Sequence, residues 1–204
     1  LHKAIRRQRQ MCIRDRVTPE EPFFCNGSIM VEDTKIRCHK TTGHGSEDFT
    51  HAIMNSCNPV FIQLGLRLGA QGFFHYFDQF QMLGTTGIDL PGEASTASLI
   101  FSEEQLAQTE SNLAVSSFGQ GFNVTMVQLA SSFCSLINGG DLYQPHVVKK
   151  VVDDSGNTVQ EINPVVLKET VSQEVSDTLR DYMYTVVSEG TGAKAAVELS
   201  LIHI

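Results

Sequence analysis

Apolar residues recur at helical spacing in several stretches of the chain. Val60, Leu64 and Leu68, joined by Phe61 and Leu66, draw a broad apolar stripe directly after Asn58-Pro59. The pattern predicts a helix with Asn58 as N-cap and Pro59 at its first position. Gly69 predicts its end. Phe73, Phe74, Phe77 and Phe80 predict a second helix over 70–80, with their rings in the core. A short helix precedes both, from Ser46 or Glu47 to Met54, with Ser46 as cap and Glu47 and Asp48 at its positive end. The chain then breaks over 55–58. Met126, Leu129, Ala130, Phe133 and Ile137 predict a buried helix over 125–138 that stops at Gly139-Gly140. Val175, Leu179, Met183 and Val186 predict the inner face of a helix over 172–188, and Ser102 with Gln105 stands at capping-box spacing for one more helix start.

Between the helices the period shortens. Residues 22–38 read as short strands with a turn near Glu32-Asp33-Thr34, and residues 143–152 and 158–162 as a β-hairpin around Asp154-Ser155-Gly156-Asn157. Lys40 to Glu47 and Gly84 to Ser98 are rich in turn formers and read as loops. No internal repeat interrupts this order. The mixture predicts an α+β domain dominated by its helical part.

The ends change the charge picture. The run from Arg6 to Arg16 back-translates to DNA similar to a transposase-type sequencing adapter. The last six residues, Leu199 to Ile204, back-translate to the reverse complement of the stretch encoding Met11 to Asp15. One DNA element read in opposite directions predicts that 1–16 and 199–204 are foreign and that 17–198 are native. Residues 1–16 carry six cations against one acid, so without them the formal net charge moves from −8 to −13. An acidic chain without a basic patch repels phosphate backbones, which excludes nucleic acid as the expected partner. The apolar content of 41% is that of a globular protein rather than a disordered one.

Cys12 falls in the foreign segment, leaving Cys25, Cys38, Cys57 and Cys134. Four cysteines in a chain of this length do not make a disulfide framework. Cys25 and Cys38 flank the first hairpin, where either a bridge or two reduced thiols fits the pattern.

The chemistry lies in a series of short motifs: His44-Gly45, Ser56-Cys57-Asn58-Pro59, Thr86-Gly-Ile-Asp-Leu-Pro-Gly-Glu93, Ser117-Phe-Gly-Gln-Gly121 and Glu189-Gly-Thr-Gly192. In this order, and over about residues 22–198, they resemble the transpeptidase domain of a penicillin-binding protein of the monofunctional class B. The resemblance implies the penicillin-binding transpeptidase or serine β-lactamase-like fold, mostly its helical part and truncated at both ends. It implies a peptidoglycan D,D-transpeptidase that cross-links stem peptides by serine acyl transfer and binds penicillin. Acyl transfer needs a nucleophile, a base and donors for the oxyanion, which the family supplies through S-x-x-K, S-x-N and K-T-G.

Ser56-Cys57-Asn58 matches the middle motif. By that resemblance the Ser56 hydroxyl relays a proton and the Asn58 amide holds the substrate's peptide backbone. A hydroxyl both donates and accepts, and an amide satisfies a peptide donor and acceptor together. As a plain Ser-x-Asn triplet the same residues read as helix caps. No Ser-x-x-Lys occurs in residues 17–55, and no Lys-Thr-Gly follows Glu198. The chain is therefore expected to be inactive alone, as part of a longer enzyme. That parent is expected to be membrane-anchored, with this domain outside the cytoplasm. Its expected partners are peptidoglycan stem peptides, β-lactams and other cell-wall synthesis proteins; no cofactor or metal is implied.

Three rivals stand beside this reading. A β-lactam sensor shares the fold, and so does a hydrolytic β-lactamase, against which the long 84–98 loop and Phe118-Gly-Gln-Gly121 argue. The rival from another class is a zinc-binding module, since Cys25, Cys38, His39, His44 and His51 cluster in sequence and thiolates with imidazoles suit zinc. The Cys25–Cys38 spacing is not that of a paired zinc motif, and no second ligand pair follows.

Overall fold

A computed structural model of the chain describes residues 17–195. The segments read as foreign, 1–16 and 199–204, lie outside the described residues. The described chain forms two compact units. The first holds the residues up to Phe73, Glu103–Gln120 and those from Tyr184 onward; the second holds Phe74–Ser102 and Gly121–Met183. Helices and two-stranded sheets make up both units, so the architecture is α+β. Among the described residues, no helix is long and apolar enough to cross a membrane.

In the first unit, β1 (Pro22–Cys25) pairs antiparallel with β4 (Gly45–Asp48), placing Cys25 opposite Gly45. The hairpin β2 (Ser28–Val31) to β3 (Thr34–Arg37) turns through Glu32 and Asp33, with Glu32 at φ +49°. The Glu32 carboxylate accepts hydrogen bonds from Ser111 Oγ at 2.8 Å and Glu110 N at 3.2 Å. Helix α1 (Phe49–Met54) is capped by Asp48, whose side chain accepts from His51 N. Asp48 ends β4, so the helix begins at Phe49, two or three residues later than a start at Glu47 or Ser46.

Helix α2 runs over Asn58–Gln79 with a break at Gly69 (φ +76°, ψ +166°), the position at which the apolar stripe predicts an end. Helices α3 (Glu103–Gln108) and α4 (Glu110–Ser117) are separated by Thr109, whose hydroxyl accepts from Asn112 N. Among the described residues, buried side chains gather in clusters. Phe23, Cys25, Cys38, Ala52, Cys57 and Val60 form one; Val31, Ile62 and Ala114 form another.

The second unit contains α5 (Met126–Ile137), strands β5 (Asp141–Tyr143), β6 (Lys150–Val152), β7 (Thr158–Glu161) and β8 (Val166–Glu169), and most of α6 (Gln173–Ser188). β6 and β7 form the predicted hairpin, and β5 pairs with β8 outside it. Phe77 is buried edge-on to Phe122, with ring centroids 5.1 Å apart, as its helical spacing predicts.

Helix α5 turns the opposite face inward from the one its apolar residues predict. Met126, Leu129 and Phe133 are exposed, while Gln128, Ser132 and Ser135 are buried. The polar stripe is buried because loop backbone needs it. Gln128 Nε2 donates to the carbonyls of Met82 (3.2 Å) and Gly84 (2.6 Å), and its Oε1 accepts from Thr96 Oγ1 (2.9 Å) and Thr125 N (2.7 Å). Ser132 Oγ donates to Phe80 O at 3.0 Å. Buried polar groups are tolerated where all their bonds are made. Helix α6 shows the same effect on a smaller scale: Val175 is exposed, and Ser176 is buried with its hydroxyl donating to Leu136 O at 2.8 Å.

The 84–98 loop is organised by two carboxylates. Glu93 accepts from Thr86 N and Thr86 Oγ1 (both 2.6 Å) and from Gly87 N (2.9 Å). Asp89 accepts from Val147 N and Val148 N at 2.8 and 2.9 Å. Partial burial works to raise the Glu93 pKa, but the hydrogen bonds from Thr86 and Gly87 prevail and hold it below its ordinary value.

Replacing Gln128 by Leu strands the Gly84 carbonyl and the Thr125 N–H, and leaves Met82 O and Thr96 Oγ1 only their long mutual bond of 3.5 Å. It should destabilise the fold by about 2–5 kcal/mol, each orphaned group contributing about 1–3 kcal/mol, read from urea denaturation. Glu93→Gln should lower the thermal midpoint at neutral pH. Because the folded pKa is depressed, this difference is full above the ordinary value of 4.5 and fades as the pH falls through the folded value. Melting curves across the acid range check it; a difference that is constant with pH contradicts the assignment.

Candidate functional site

Ser56 and Asn58 sit at the bend between α1 and α2. Two backbone bonds close α1: Cys57 N–H to Ala52 O and Ser56 N–H to Ile53 O, both 3.0 Å. This is the Schellman pairing, which requires a left-handed residue just past the helix, usually glycine. Here that residue is Ser56, with φ +49°. Its side chain is exposed. Cys57 turns back under the bend and is fully buried beside Ala52, supplying the apolar contact that accompanies such a closure.

Helix α2 begins at once. Cys57 O accepts from Val60 N and Phe61 N at 3.1 and 3.2 Å. Asn58 is therefore inside the first turn rather than the N-cap that Asn-Pro suggests, and Cys57 stands in the capping place. Freed from capping, the Asn58 amide donates from Nδ2 to Arg37 O at 3.2 Å. That bond fixes which way the amide faces and leaves Oδ1 and the second N–H uncommitted by it.

The bend is gripped from several sides. His39 Nε2 lies 2.7 Å from Asn55 O; since a carbonyl only accepts, this nitrogen carries the proton. Asn55 Nδ2 donates to Glu47 Oε2 at 3.0 Å. Thr191, from the Glu189-Gly-Thr-Gly192 motif, donates its N–H to Met54 O at 3.0 Å. The fold thus brings together two motifs separated by more than a hundred residues, and Met54 is the residue that joins them.

Beneath the bend lie three thiols. Cys25, Cys38 and Cys57 are buried and free, so the possible Cys25–Cys38 bridge is not formed. His44 joins them, its Nδ1 at 3.7 Å from Cys38 Sγ. Burial lowers the His44 pKa more than the nearby Glu47 raises it, which favours the neutral ring. Burial likewise pushes the Cys57 thiol well above its ordinary range, and Glu47 adds to this. Of the other two histidines expected as ligands, His51 pairs with Asp48 (Nδ1 to Oδ1, 2.7 Å) and His39 with Asn55. Reading the triplet as Ser-x-Asn hides Cys57; its only sequence signal is that the middle residue is a cysteine.

With this geometry in view, the comparisons with known proteins point one way. The family model "Penicillin binding protein transpeptidase domain" matches residues 13–203. The chain belongs to that family, in its class B branch. Stage V sporulation protein D of Bacillus subtilis is 37% identical over 179 residues, covering 87% of this chain and 27% of that protein. Peptidoglycan D,D-transpeptidase MrdA of Salmonella typhimurium is 28% identical, covering 87% of this chain and 30% of that protein. The chain thus spans under a third of the length of these curated relatives.

Among solved structures, the D,D-transpeptidase domain of a peptidoglycan glycosyltransferase from Eggerthella lenta superposes with a TM-score of 0.79 at 24% identity, over 93% of this chain and 48% of that one. Penicillin-binding protein 3 of Mycobacterium tuberculosis in complex with aztreonam gives 0.78 at 24% identity, over 92% and 42%. These two establish the fold: the described part belongs to a penicillin-binding transpeptidase domain. The matches support the transpeptidase reading and not the sensor, lactamase or zinc-module alternatives.

A left-handed serine is strained where glycine is not. Ser56→Gly should raise the stability of the chain by about 0.5–1 kcal/mol, the cost of a left-handed β-carbon less the added freedom of the unfolded chain. A chemical-denaturation midpoint that falls instead refutes the strain at this position.

Proposed function

We propose that this chain is the part of a peptidoglycan D,D-transpeptidase that carries the Ser-x-Asn motif, with Ser56 and Asn58 as its substrate-facing residues. The parent enzyme opens the D-Ala-D-Ala bond of a stem peptide with the serine of an S-x-x-K motif. It expels the terminal D-Ala and passes the acyl group to an amine on a neighbouring strand. Ser56 relays the proton between the catalytic lysine and the leaving amine. Asn58, its amide oriented by Arg37 O, takes the peptide backbone of the donor.

The observation that carries this reading is the left-handed Ser56. Stability favours glycine at that position, yet the chain places an exposed hydroxyl there. Strain kept at such a site is what a functional side chain requires. A second reading as caps alone fits less well, because neither side chain caps α2.

The nucleophilic serine and the carboxylate-binding Lys-Thr-Gly belong, in this reading, to sequence flanking 17–198. The two terminal segments are adapter translation. The parent is membrane-anchored with this domain outside the cytoplasm, and works beside other cell-wall synthesis proteins. β-Lactams act on it as acylating mimics of D-Ala-D-Ala; the relative from Mycobacterium tuberculosis solved with aztreonam supports that class of ligand.

The test uses a fluorescent penicillin. The chain alone should take no stable label, and the parent enzyme should be acylated. In the parent, Asn58→Ala should slow acylation by roughly 10²-fold, as loss of one positioned donor does. Ser56→Gly should slow it by about 10²–10⁴-fold, the range of a lost proton relay, although the fold gains stability. Wild-type labelling of the Ser56→Gly parent refutes the relay, and labelling of the chain alone refutes the placement of the nucleophile.

A further inference from the structure

The motif Glu189-Gly-Thr-Gly192 supplies no group to the proposed acyl transfer, yet the chain folds it against the helix that ends on Ser56. Helix α1 is only six residues long, too short to hold its own ends. Its closing bonds use the carbonyls of Ala52 and Ile53. Met54 O, the last carbonyl of the helix, lies beyond them and must be met from outside. Thr191 meets it twice, with its N–H at 3.0 Å and its hydroxyl at 3.3 Å.

The approach is too close for any side chain at Gly190. A β-carbon there would stand 2.7 Å from Met54 O and 2.8 Å from Val186 O. Gly190 is not among the residues with positive φ, so space rather than backbone conformation demands glycine. Both obstructing atoms are backbone, which cannot swing aside as a side-chain tip can. The turn itself is wound on the end of α6. Gly190 N–H and Gly192 N–H both donate to Val186 O at 3.1 Å, and Glu189 N–H donates to Thr185 O at 2.9 Å. A β-carbon on Gly192 would meet Val186 Cγ1 at 2.9 Å.

We propose that Gly190 and Thr191 are positioning residues for the proton relay. The turn after α6 holds the end of α1 and thereby sets where the Ser56 hydroxyl stands. The Schellman closure fixes Ser56 relative to α1, and Thr191 fixes the end of α1 relative to α6. Ser56 lies two residues past the gripped carbonyl, so a shift of Met54 is passed on to it through one intervening residue. Asn58 has a separate anchor in Arg37 O, on β3. Loss of the turn therefore displaces the hydroxyl more than the amide. The inference rests on the reading of Ser56 as the relay and adds to it the segment that aims the relay.

The test has two arms. In the full 204-residue chain, residue-resolved hydrogen exchange compares the wild type with Gly190→Ala. The Ser56 and Cys57 amides, which close α1, should exchange at least about tenfold faster in the variant, as local opening becomes easier. The Ile162 amide in the β6–β7 hairpin should keep its rate. Unchanged exchange at Ser56 and Cys57 overturns the proposal.

In the parent enzyme, acylation by a fluorescent penicillin is followed over a range of concentrations, which separates the acylation rate constant from the affinity of the initial complex. Gly190→Ala should lower the rate constant about 10–100-fold, as a small misplacement of a reacting group does, and leave the affinity nearly unchanged. Thr191→Val should lower it roughly two- to tenfold, the worth of one hydrogen bond, and Thr191→Ser should restore it. In a Ser56→Gly background, Gly190→Ala should add little, because no hydroxyl remains to be misplaced. The same factor in both backgrounds marks a merely structural role and overturns the proposal. If melting shows that Gly190→Ala does not fold, Thr191→Val and Thr191→Ser decide: a wild-type rate for both overturns it. A parent that takes no label overturns the transpeptidase reading together with this inference. A labelled parent in which Gly190→Ala and Thr191→Val react at the wild-type rate overturns the inference alone.

Discussion

The closure of α1 on a left-handed serine is the constraint from which the rest of the first unit follows. Two backbone bonds and one buried side chain define it: Cys57 to Ala52, Ser56 to Ile53, and the Cys57 thiol packed below. With Cys57 directed into the core, residues 56 and 58 must face away from it, because neighbours on either side of a buried residue at a tight bend point outward. The geometry converts a triplet of small residues into two presented polar groups and one anchor. Replacing the closure with a longer loop would leave the same residues in sequence without a fixed direction for either side chain.

The surroundings of the bend are held by backbone carbonyls meeting side chains from distant segments. Asn58 reaches Arg37, His39 reaches Asn55, and Thr191 reaches Met54. Each contact satisfies a carbonyl near a helix end or strand end that no regular structure covers. The same economy governs the second unit, where Gln128 alone joins two loop carbonyls, a threonine hydroxyl and the helix cap. Motifs such as Thr86 to Glu93 therefore have a structural meaning of their own. Glu93 closes the loop on Thr86 and Gly87, and Asp89 fastens it to the residues after β5.

A thiol cluster lies under the bend that carries Ser56 and Asn58. The first-unit core is unusual in that cysteines, rather than larger aliphatic residues, fill its centre next to Cys57. Cysteine behaves as a small hydrophobe when buried, and here three thiols pack with Phe23, Ala52 and Val60 beside the His44 imidazole. Whatever holds these side chains together also holds Ser56 and Asn58, since Cys57 belongs to both constellations.

Local patterns in the sequence were sufficient for most elements. The Gly69 break, the hairpin over β6 and β7, the start of α3 and the α5 stop at Gly139-Gly140 are local events, set by backbone sterics and short-range hydrogen bonds. The order of motifs likewise sufficed for the family. Long-range packing decided the remainder. Met126, Leu129 and Phe133 mark a helix correctly, yet its polar side is the buried one, where Gln128 and Ser132 hold the carbonyls of Met82, Gly84 and Phe80. The helix cap passed from Asn58 to Cys57 because a Schellman closure was available one residue earlier. Cys57 as a neighbour of Cys25, Cys38 and His44 is invisible to spacing rules, since its distance from them in the chain reflects an intervening strand and helix. Periodicity reports which residues share a face; only the folded chain determines what that face meets.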